Sequence, residues 1–582
     1  MTHRQSAGGY LRAGEKMKIW RVDTEHRTVT QEPVPPDWEH LGGRGLIARI
    51  LLDEVPPACD PLGPQNRLVF AAGHLSGHSL SSCDRISIGA KSPLTGGIKE
   101  SNAGGTTGLH LALLGIKAFI LSGAPTDGDL QVLHLSLAGA RFEPAGELAG
   151  LGTYACARRL RDKFGPRAGV ALIGPAGERR LPAAGVCNLD SEGRPSRISG
   201  RGGMGAVMAA KGLKAVVIDS TGCDRPAQAD PEAFQLARKT FHDALLNHPV
   251  VAGWREYGTA GNVAVTNMLG TFPTRNFSRG TFENAEEISG EKLNELTRSR
   301  PKPSTPTHNC MPGCLVRCSN VFTDEEGEEI VAPLEYETIG LLGGNLEIGS
   351  LETIGLLNRY ANDLGLDSIE LGAALGLAAE AGLMKFGDGE KAAALVQEIY
   401  ADTPLGRLLG SGAAMTGKAL GGRRIPVVKG QAIPAYDPRT LKGTGVTYAT
   451  SPQGADHTAG FTLRAKVDHL DPQANVNASR AAQIGVAAVD SLGACSFAGV
   501  GFGAAPTVLR DLLNSIYGWN VPDTVQQDMG KAVLSMEREF NRQAGFTAAD
   551  DRLPEFFCSE PLPPKNAIFD VSPEELDSIF NW

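Results

Sequence analysis

Cys310, Cys314 and Cys318 fall within one short segment, His308-Asn-Cys-Met-Pro-Gly-Cys-Leu-Val-Arg-Cys318, and a fourth thiol, Cys495, closes Asp490-Ser-Leu-Gly-Ala-Cys far downstream. Three clustered thiolates and one remote one form the donor set of a cubane 4Fe-4S cluster, the remote ligand tying a second segment to the first. Such a centre carries electrons. Two plainer readings stand beside it. Four-residue spacing would place the thiols on one helix face as ordinary buried groups, but Pro312-Gly313 interrupts any such helix. A structural zinc needs the same four thiolates, although it usually takes them as two close pairs.

Rigid elements must bring these residues together, and the chain has material for them. Its 582 residues, 42% apolar and 21% charged, suffice for roughly two to four cored domains. Net charge is −9 and no run of Lys and Arg interleaves with aromatics, which counts against nucleic acid and membrane surfaces as partners. No apolar stretch approaches bilayer length and no secretory pattern opens the chain, so a cytoplasmic protein is expected. Cys59, Cys83, Cys156, Cys187, Cys223 and Cys558 are scattered without framework spacing, as free thiols of a reducing compartment would be.

The expected fold class is α+β: an N-terminal β-rich domain of two β-sheets forming a cofactor-binding base, followed by two mostly α-helical domains. Short apolar runs bounded by Gly, Pro or charge, among them Leu68-Val-Phe-Ala-Ala and Ala215-Val-Val-Ile-Asp, predict strands over 17–220, and residues 1–16 read as a disordered extension. A linker follows, and Pro231 opens a helix. Helical spacing predicts helices at Glu352–Asp363, Ile369–Met384 and Glu390–Ile399. The helical part divides into 233–420, with the cysteine triplet, and 421–582, with Cys495. The 72 glycines concentrate in motif-like loops, suggesting close backbone approach to a ligand, and no internal repeat of fixed period is visible.

Taken in order, Leu41-Gly-Gly-Arg-Gly-Leu, Lys91-Ser-Pro-Leu-Thr-Gly, Glu100-Ser-Asn-Ala-Gly-Gly, Gly174-Pro-Ala-Gly-Glu, Gly200-Arg-Gly-Gly-Met-Gly, Glu335-Tyr-Glu-Thr, Asp363-Leu-Gly-Leu-Asp and the Asp490 loop resemble the aldehyde:ferredoxin oxidoreductase family, tungsten enzymes with a bis-pterin cofactor beside a 4Fe-4S cluster. The resemblance runs from Lys18 onward. One departure is the three residues between Cys310 and Cys314, where the family commonly has two, which points to a divergent branch. The resemblance implies a tungsten or molybdenum bis-pyranopterin, with Asn102, Ala103, Gly104 and the turn Gly200-Arg201-Gly202-Gly203 at its phosphates and a bridging Mg2+. Glycine-rich turns can supply backbone N–H donors to such anions. The two acidic loops, Asp363 with Gly365, Leu366 and Asp367, and Asp490 with Gly493 and Ala494, would each set a carboxylate against one pterin. Cys495 would join cofactor to cluster, and Arg85 would lie between them. Each also has a plain structural reading, as a tight turn, a helix cap or a strand arginine.

By the same resemblance, His457 of Gly454-Ala-Asp-His would donate a hydrogen bond to an aldehyde oxygen while Glu337 takes a proton from attacking water; Glu335 competes for that role. The implied reaction oxidises an aldehyde to a carboxylic acid and passes electrons to ferredoxin or a ferredoxin-like iron–sulfur subunit, in a homodimer or hetero-oligomer. A related reaction such as aromatic acyl-CoA reduction, or a pterin-free electron-transfer subunit, keeps the cluster but changes the chemistry.

Overall fold

The computed structural model describes residues 17–582, so the extension expected over 1–16 lies outside the described residues. The first strand-rich unit runs β1 (Lys18–Asp23), β2 (Thr28–Pro33), α1 (Gly43–Glu54), β3 (Leu68–Ala72), β4 (Ile86–Lys91), β5 (Ile98–Ala103), α2 (Thr107–Leu113) and β6 (Ile116–Ser122). The second runs β7 (Gln131–Ser136), β8 (Gly139–Pro144), α3 (Thr153–Phe164), β9 (Gly169–Leu172), α4 (Pro175–Glu178), β10 (Val186–Asn188), β11 (Arg197–Ser199), α5 (Met204–Ala210) and β12 (Leu213–Asp219). Strand orders are β2-β1-β6-β3-β4-β5 and β8-β7-β12-β9-β10-β11, the same permutation twice. In each, the first and sixth strands pair in parallel and the remaining neighbours antiparallel. The chain therefore repeats in topology without repeating at a fixed residue period, which is why the sequence shows no periodicity.

Alternation along the strands explains how the sheets stack. Trp20, Val22, Phe70, Ile88, Phe119 and Leu121 point inward and share a core with Leu133, Leu135, Ala171, Val216 and Ile218. The intervening residues, such as Val69, Ala71 and Ile120, pack on Leu46, Ile47 and Ile50 of α1, as Val170, Leu172 and Val217 pack on Cys156, Ala157 and Leu160 of α3. With both faces covered, a strand such as Leu68–Ala72 is buried throughout and reads as a continuous apolar run.

After the linker the chain is mostly helical, giving an α+β protein. α6 (Pro231–Leu246) starts where expected, with Pro231 in its first turn and the Asp230 carboxylate accepting from the Ala233 amide at 3.0 Å. Helices Leu351–Leu364 and Gly389–Tyr400 match the apolar spacing, but the helix expected to reach Met384 spans Ser368–Glu380. It ends early because Gly382, at φ +79°, turns the chain. A small sheet, β13 (Thr305–His308), β14 (Ser319–Thr323) and β15 (Glu329–Val331), interrupts the helices, and the cysteine triplet lies in the β13–β14 connection. Among the described residues no single helix is long and apolar enough to cross a membrane.

Candidate active site

Two loops from the helical part press against the sandwich, one on each half. The loop after helix Pro472–Ser491 meets the first half: the amides of Leu75 and Arg85 donate to the carbonyls of Leu492 and Gly493, both at 3.0 Å. The loop after helix Leu351–Leu364 meets the second: the Gly185 amide donates to Gly365 at 2.9 Å and the Asp367 amide to Ala183 at 3.1 Å. Gly493 and Gly365 take φ of +71° and +72°. A Cβ on Gly73 would overlap the Gly493 nitrogen, and one on Gly174 the Leu364 carbonyl. Both sides of each contact thus require glycine.

The two loops differ in register. Asp490 lies three residues before its loop glycine, but Asp363 lies only two before Gly365, and Asn362 takes the equivalent place. The Asp363 carboxylate accepts from the Tyr154 amide at 3.2 Å and the Tyr400 hydroxyl at 3.1 Å, at the start of α3. Asp363 is thus not brought to the same setting as Asp490, whereas Asp367 occupies the position that corresponds to Cys495.

Around the first loop, Asp490 accepts from the Asn102 side-chain amide at 2.9 Å and from Arg44 at 3.2 Å, while Arg44 makes two 2.8 Å bonds to Glu537. Arg85 spends its donors on Asn102, through the side-chain oxygen and, at 3.0 Å, the carbonyl. Burial opposes its charge, yet Cys495, Cys310, Asp490 and Glu100 raise its pKa. Glu100 is pushed up to about 8 by burial and then by Asp490, and its Oε1 has no hydrogen-bond partner. Arg44, Glu100 and Glu537 escaped the sequence reading as site residues. The first two sit inside quoted motifs, but Glu537 has no sequence signal.

The thiols come together from both ends. The Cys495 amide donates to Ser82 at 2.7 Å, the Gly105 amide donates to the Cys310 carbonyl at 2.8 Å, and a Cβ on Gly104 would stand 3.3 Å from Cys310 Sγ. Cys314 is drawn down, first by Cys310 and also by Ser82, whose Oγ is 3.3 Å from its sulfur, and by the Arg317 and Val316 amides. Those donors favour a thiolate. Cys318 is raised by burial and then by Glu335, Cys495 and Cys314; Cys495 is raised by burial, with Arg85 opposing. Four mutually interacting thiols, backed by glycine and by Arg85, fit a cluster whose own charge would stabilise them as thiolates. Among the described residues no three His, Cys, Asp or Glu side chains are drawn together closely enough to surround a single metal ion, and the same four thiols are the donor set that either a cluster or a structural zinc would take.

On the second half, Arg201 donates to Asp367 at 3.1 Å and to the carbonyls of Ala455 and Ala432, both at 2.6 Å. Asp367 also caps helix Ser368–Glu380 through the Ile369 amide at 2.9 Å. Glu370, pushed up to about 7 by burial, accepts from the Ala432 amide at 2.6 Å and the Ala413 amide at 3.0 Å. Lys99 pairs with Asp456 at 2.8 Å, both buried, and with Arg201 holds Asp456 well below the carboxylate range despite burial. Gly202 and Gly203 are left-handed, at φ +82° and +80°, and a Cβ on Gly202 would overlap Lys99; Gly200 shows neither constraint. Lys99, Asp456 and Glu370 were also missed, although Asp456 adjoins His457.

Glu337 and His457 meet between these halves. Glu337 Oε2 accepts from the Ala435 amide at 2.8 Å. Its Oε1 stands 3.3 Å from His457 Nδ1 but is misaligned, so neither atom has a hydrogen-bond partner. Burial raises the Glu337 pKa, with His457 and the Ala435 amide opposing. The His457 ring lies 5.7 Å from Tyr436 and 5.9 Å from Phe461, and buried Tyr448 has an unpartnered hydroxyl. Glu335, also raised by burial, is influenced chiefly by Arg197 and Arg85 and acts on Cys318 and Cys495, so it belongs to the thiol side.

Comparison with known proteins bears on the family and the fold. Residues 19–220 match the family described as aldehyde ferredoxin oxidoreductase, N-terminal domain, and residues 236–580 match the same family's domains 2 and 3. The chain is 33% identical over 577 residues to the tungsten-containing aldehyde ferredoxin oxidoreductase of Pyrococcus abyssi, covering 94% of this chain and 92% of that protein. It is 29% identical over 489 residues to the aliphatic sulfonate oxidoreductase, WOR-like subunit, of Pyrococcus furiosus, covering 77% and 76%. Among solved structures, the active site complex BamBC of benzoyl coenzyme A reductase in complex with 1,5 dienoyl-CoA shares the fold, with a TM-score of 0.79 at 20% identity over 98% of this chain and 94% of that one.

Proposed function

The chain belongs to the aldehyde ferredoxin oxidoreductase family, and from that premise we propose that it converts an aldehyde and water to a carboxylic acid, two protons and two electrons, the electrons leaving for ferredoxin or an iron–sulfur partner subunit. The observation that carries this reading is the contact between Glu337 Oε1 and His457 Nδ1, 3.3 Å apart on two half-buried side chains, with neither atom in a hydrogen bond. Two polar atoms left unsatisfied inside a protein are costly unless a ligand completes them. Glu337, with its raised pKa, takes a proton from the attacking water, and His457 donates to the aldehyde oxygen, making its carbon more electrophilic.

Cys310, Cys314, Cys318 and Cys495 would hold a 4Fe-4S cluster. Arg85, Asn102, Ala103, Gly104, Asp490, Gly493 and Ala494 would line one side of a tungsten or molybdenum bis-pterin with bridging Mg2+, and Gly200, Arg201, Gly202, Gly203, Gly365, Leu366 and Asp367 the other. When bound, the tungsten pterin supplies a two-electron acceptor and the cluster a one-electron carrier. Left-handed Gly202 and Gly203 keep side chains clear of the backbone there.

Protein purified without oxygen is expected to contain about four iron atoms and one tungsten or molybdenum and to reduce a viologen dye with aldehydes. His457→Ala should lower turnover roughly 100-fold or more while metal content stays intact. Loss of tungsten in that variant would instead give His457 a structural role, and wild-type protein with iron but no tungsten or molybdenum would sink the reaction.

A further inference from the structure

One buried residue touches both segments that carry the thiols. The Ser82 carbonyl accepts from the Cys495 amide at 2.7 Å, and the Ser82 hydroxyl stands 3.3 Å from Cys314 Sγ. Its backbone is left-handed, at φ +62°, a conformation that costs a non-glycine residue energy and is kept where the surroundings demand it. Behind it the Ser81 hydroxyl lies 3.1 Å away and accepts from the Leu315 amide at 2.9 Å, while the Ser81 amide donates to His242 Nε2 at 3.1 Å. Both serines are 1% exposed, so neither hydroxyl can turn to water. The direction of the chain follows. A sulfur that ligates a metal has lost its proton and only accepts, so the Ser82 O–H donates to it. The Ser82 oxygen then accepts from the Ser81 O–H, whose own oxygen is supplied by Leu315.

We propose, resting on the reading of Cys310, Cys314, Cys318 and Cys495 as ligands of a 4Fe-4S cluster, that Ser82 sets the cluster's reduction potential by donating a hydrogen bond to Cys314 Sγ. Reduction adds an electron to a centre whose thiolates are already negative. A donor aimed at one of those sulfurs favours the more negative state, so the hydroxyl raises the potential. The other donors that Cys314 meets are the amides of Val316 and Arg317. Those belong to the backbone, so Ser82 is the donor that a substitution can remove. Ser82 is a positioning residue, acting through the sulfur it touches and through its carbonyl on the segment that brings Cys495.

The test uses holoenzyme purified without oxygen, with iron counted and the cluster's midpoint potential read by dye-mediated titration and electron paramagnetic resonance. Ser82→Gly removes the hydroxyl and leaves a residue that takes φ +62° without strain, so it should keep about four iron atoms. At an applied potential near the wild-type midpoint, its ratio of reduced to oxidised cluster should be about tenfold lower, a shift of about 59 mV to lower potential for a one-electron couple. Ser81→Ala, which takes away the donor behind Ser82, should shift the midpoint in the same direction by a smaller factor. An unchanged or raised midpoint in Ser82→Gly, or loss of iron from that variant, overturns the inference while the cluster reading of wild type stands. Wild type that holds zinc in place of iron overturns the cluster reading, and the inference with it.

Discussion

In the first half of the sandwich Gly73 lies against Gly493, and in the second Gly174 lies against Gly365. Two residues beyond each loop glycine stands a thiol in one case, Cys495, and a carboxylate in the other, Asp367. The backbone contact is the same, because both halves share one strand order and both need glycine at the same crossing. The side chains differ because the surroundings differ: Cys495 faces three further thiols and Arg85, whereas Asp367 faces Arg201 and starts a helix. A repeated scaffold has therefore been given a thiol-bearing side and a charge-paired side.

The scaffold half of this comparison predicts the largest effects. Gly73→Ala and Gly174→Ala should each destabilise by more than about 4 kcal/mol in denaturant unfolding, since the added methyl meets rigid backbone. Tolerance of one but not the other would break the equivalence of the halves. Next, Cys495→Ser should lower bound iron and turnover by at least the roughly 10- to 100-fold that loss of a supporting group causes at a metal site, whereas Asp367→Asn should leave iron unchanged and cost about 1–3 kcal/mol through Arg201. Iron analysis of the two variants separates the sides.

Smaller effects sharpen the register shift between the loops. Asp490→Asn should cost about 1–3 kcal/mol, because Arg44 and Asn102 both lose a charged acceptor, while Asp363→Asn should cost only about 0.5–1.5 kcal/mol. Equal losses would return Asp363 to the role of Asp490. The smallest effect concerns pH. Glu370, raised to about 7, contributes stability that is complete below the ordinary glutamate range and is lost as pH rises through about 7. Asp456, held low, contributes stability that is present above its unfolded pKa and is lost only in acid. Glu370→Gln should therefore flatten the decline in Tm between about pH 4.5 and 7, and a decline that persists in the variant would assign it to another group.

Much of the scaffold was legible. Continuous apolar runs marked strands buried on both faces, Asp230-Pro231 marked a helix start, and the Pro-Gly between Cys310 and Cys314 kept the thiols off a helix. The groups that the structure brings together were legible only where several of them share one motif, as in the cysteine triplet and the segments carrying Glu337 and His457. Asp363 stands one residue out of register with Asp490, a difference hidden in sequence because an acidic residue before a glycine looks alike in either register. The Arg44 to Glu537 pairing spans most of the chain, and Tyr448 sits in an ordinary helical stretch, so local pattern could show neither.

By itself the sequence determined which positions can supply thiolate, carboxylate or unobstructed backbone, since those are properties of single residues and short spacings. Tertiary structure decided which of those groups have partners. Glu337 Oε1 and His457 Nδ1 lack a hydrogen bond, Asp456 is paired and Glu100 is half-stranded because hydrogen bonding and charge act through space over a few ångströms, between segments far apart in the chain.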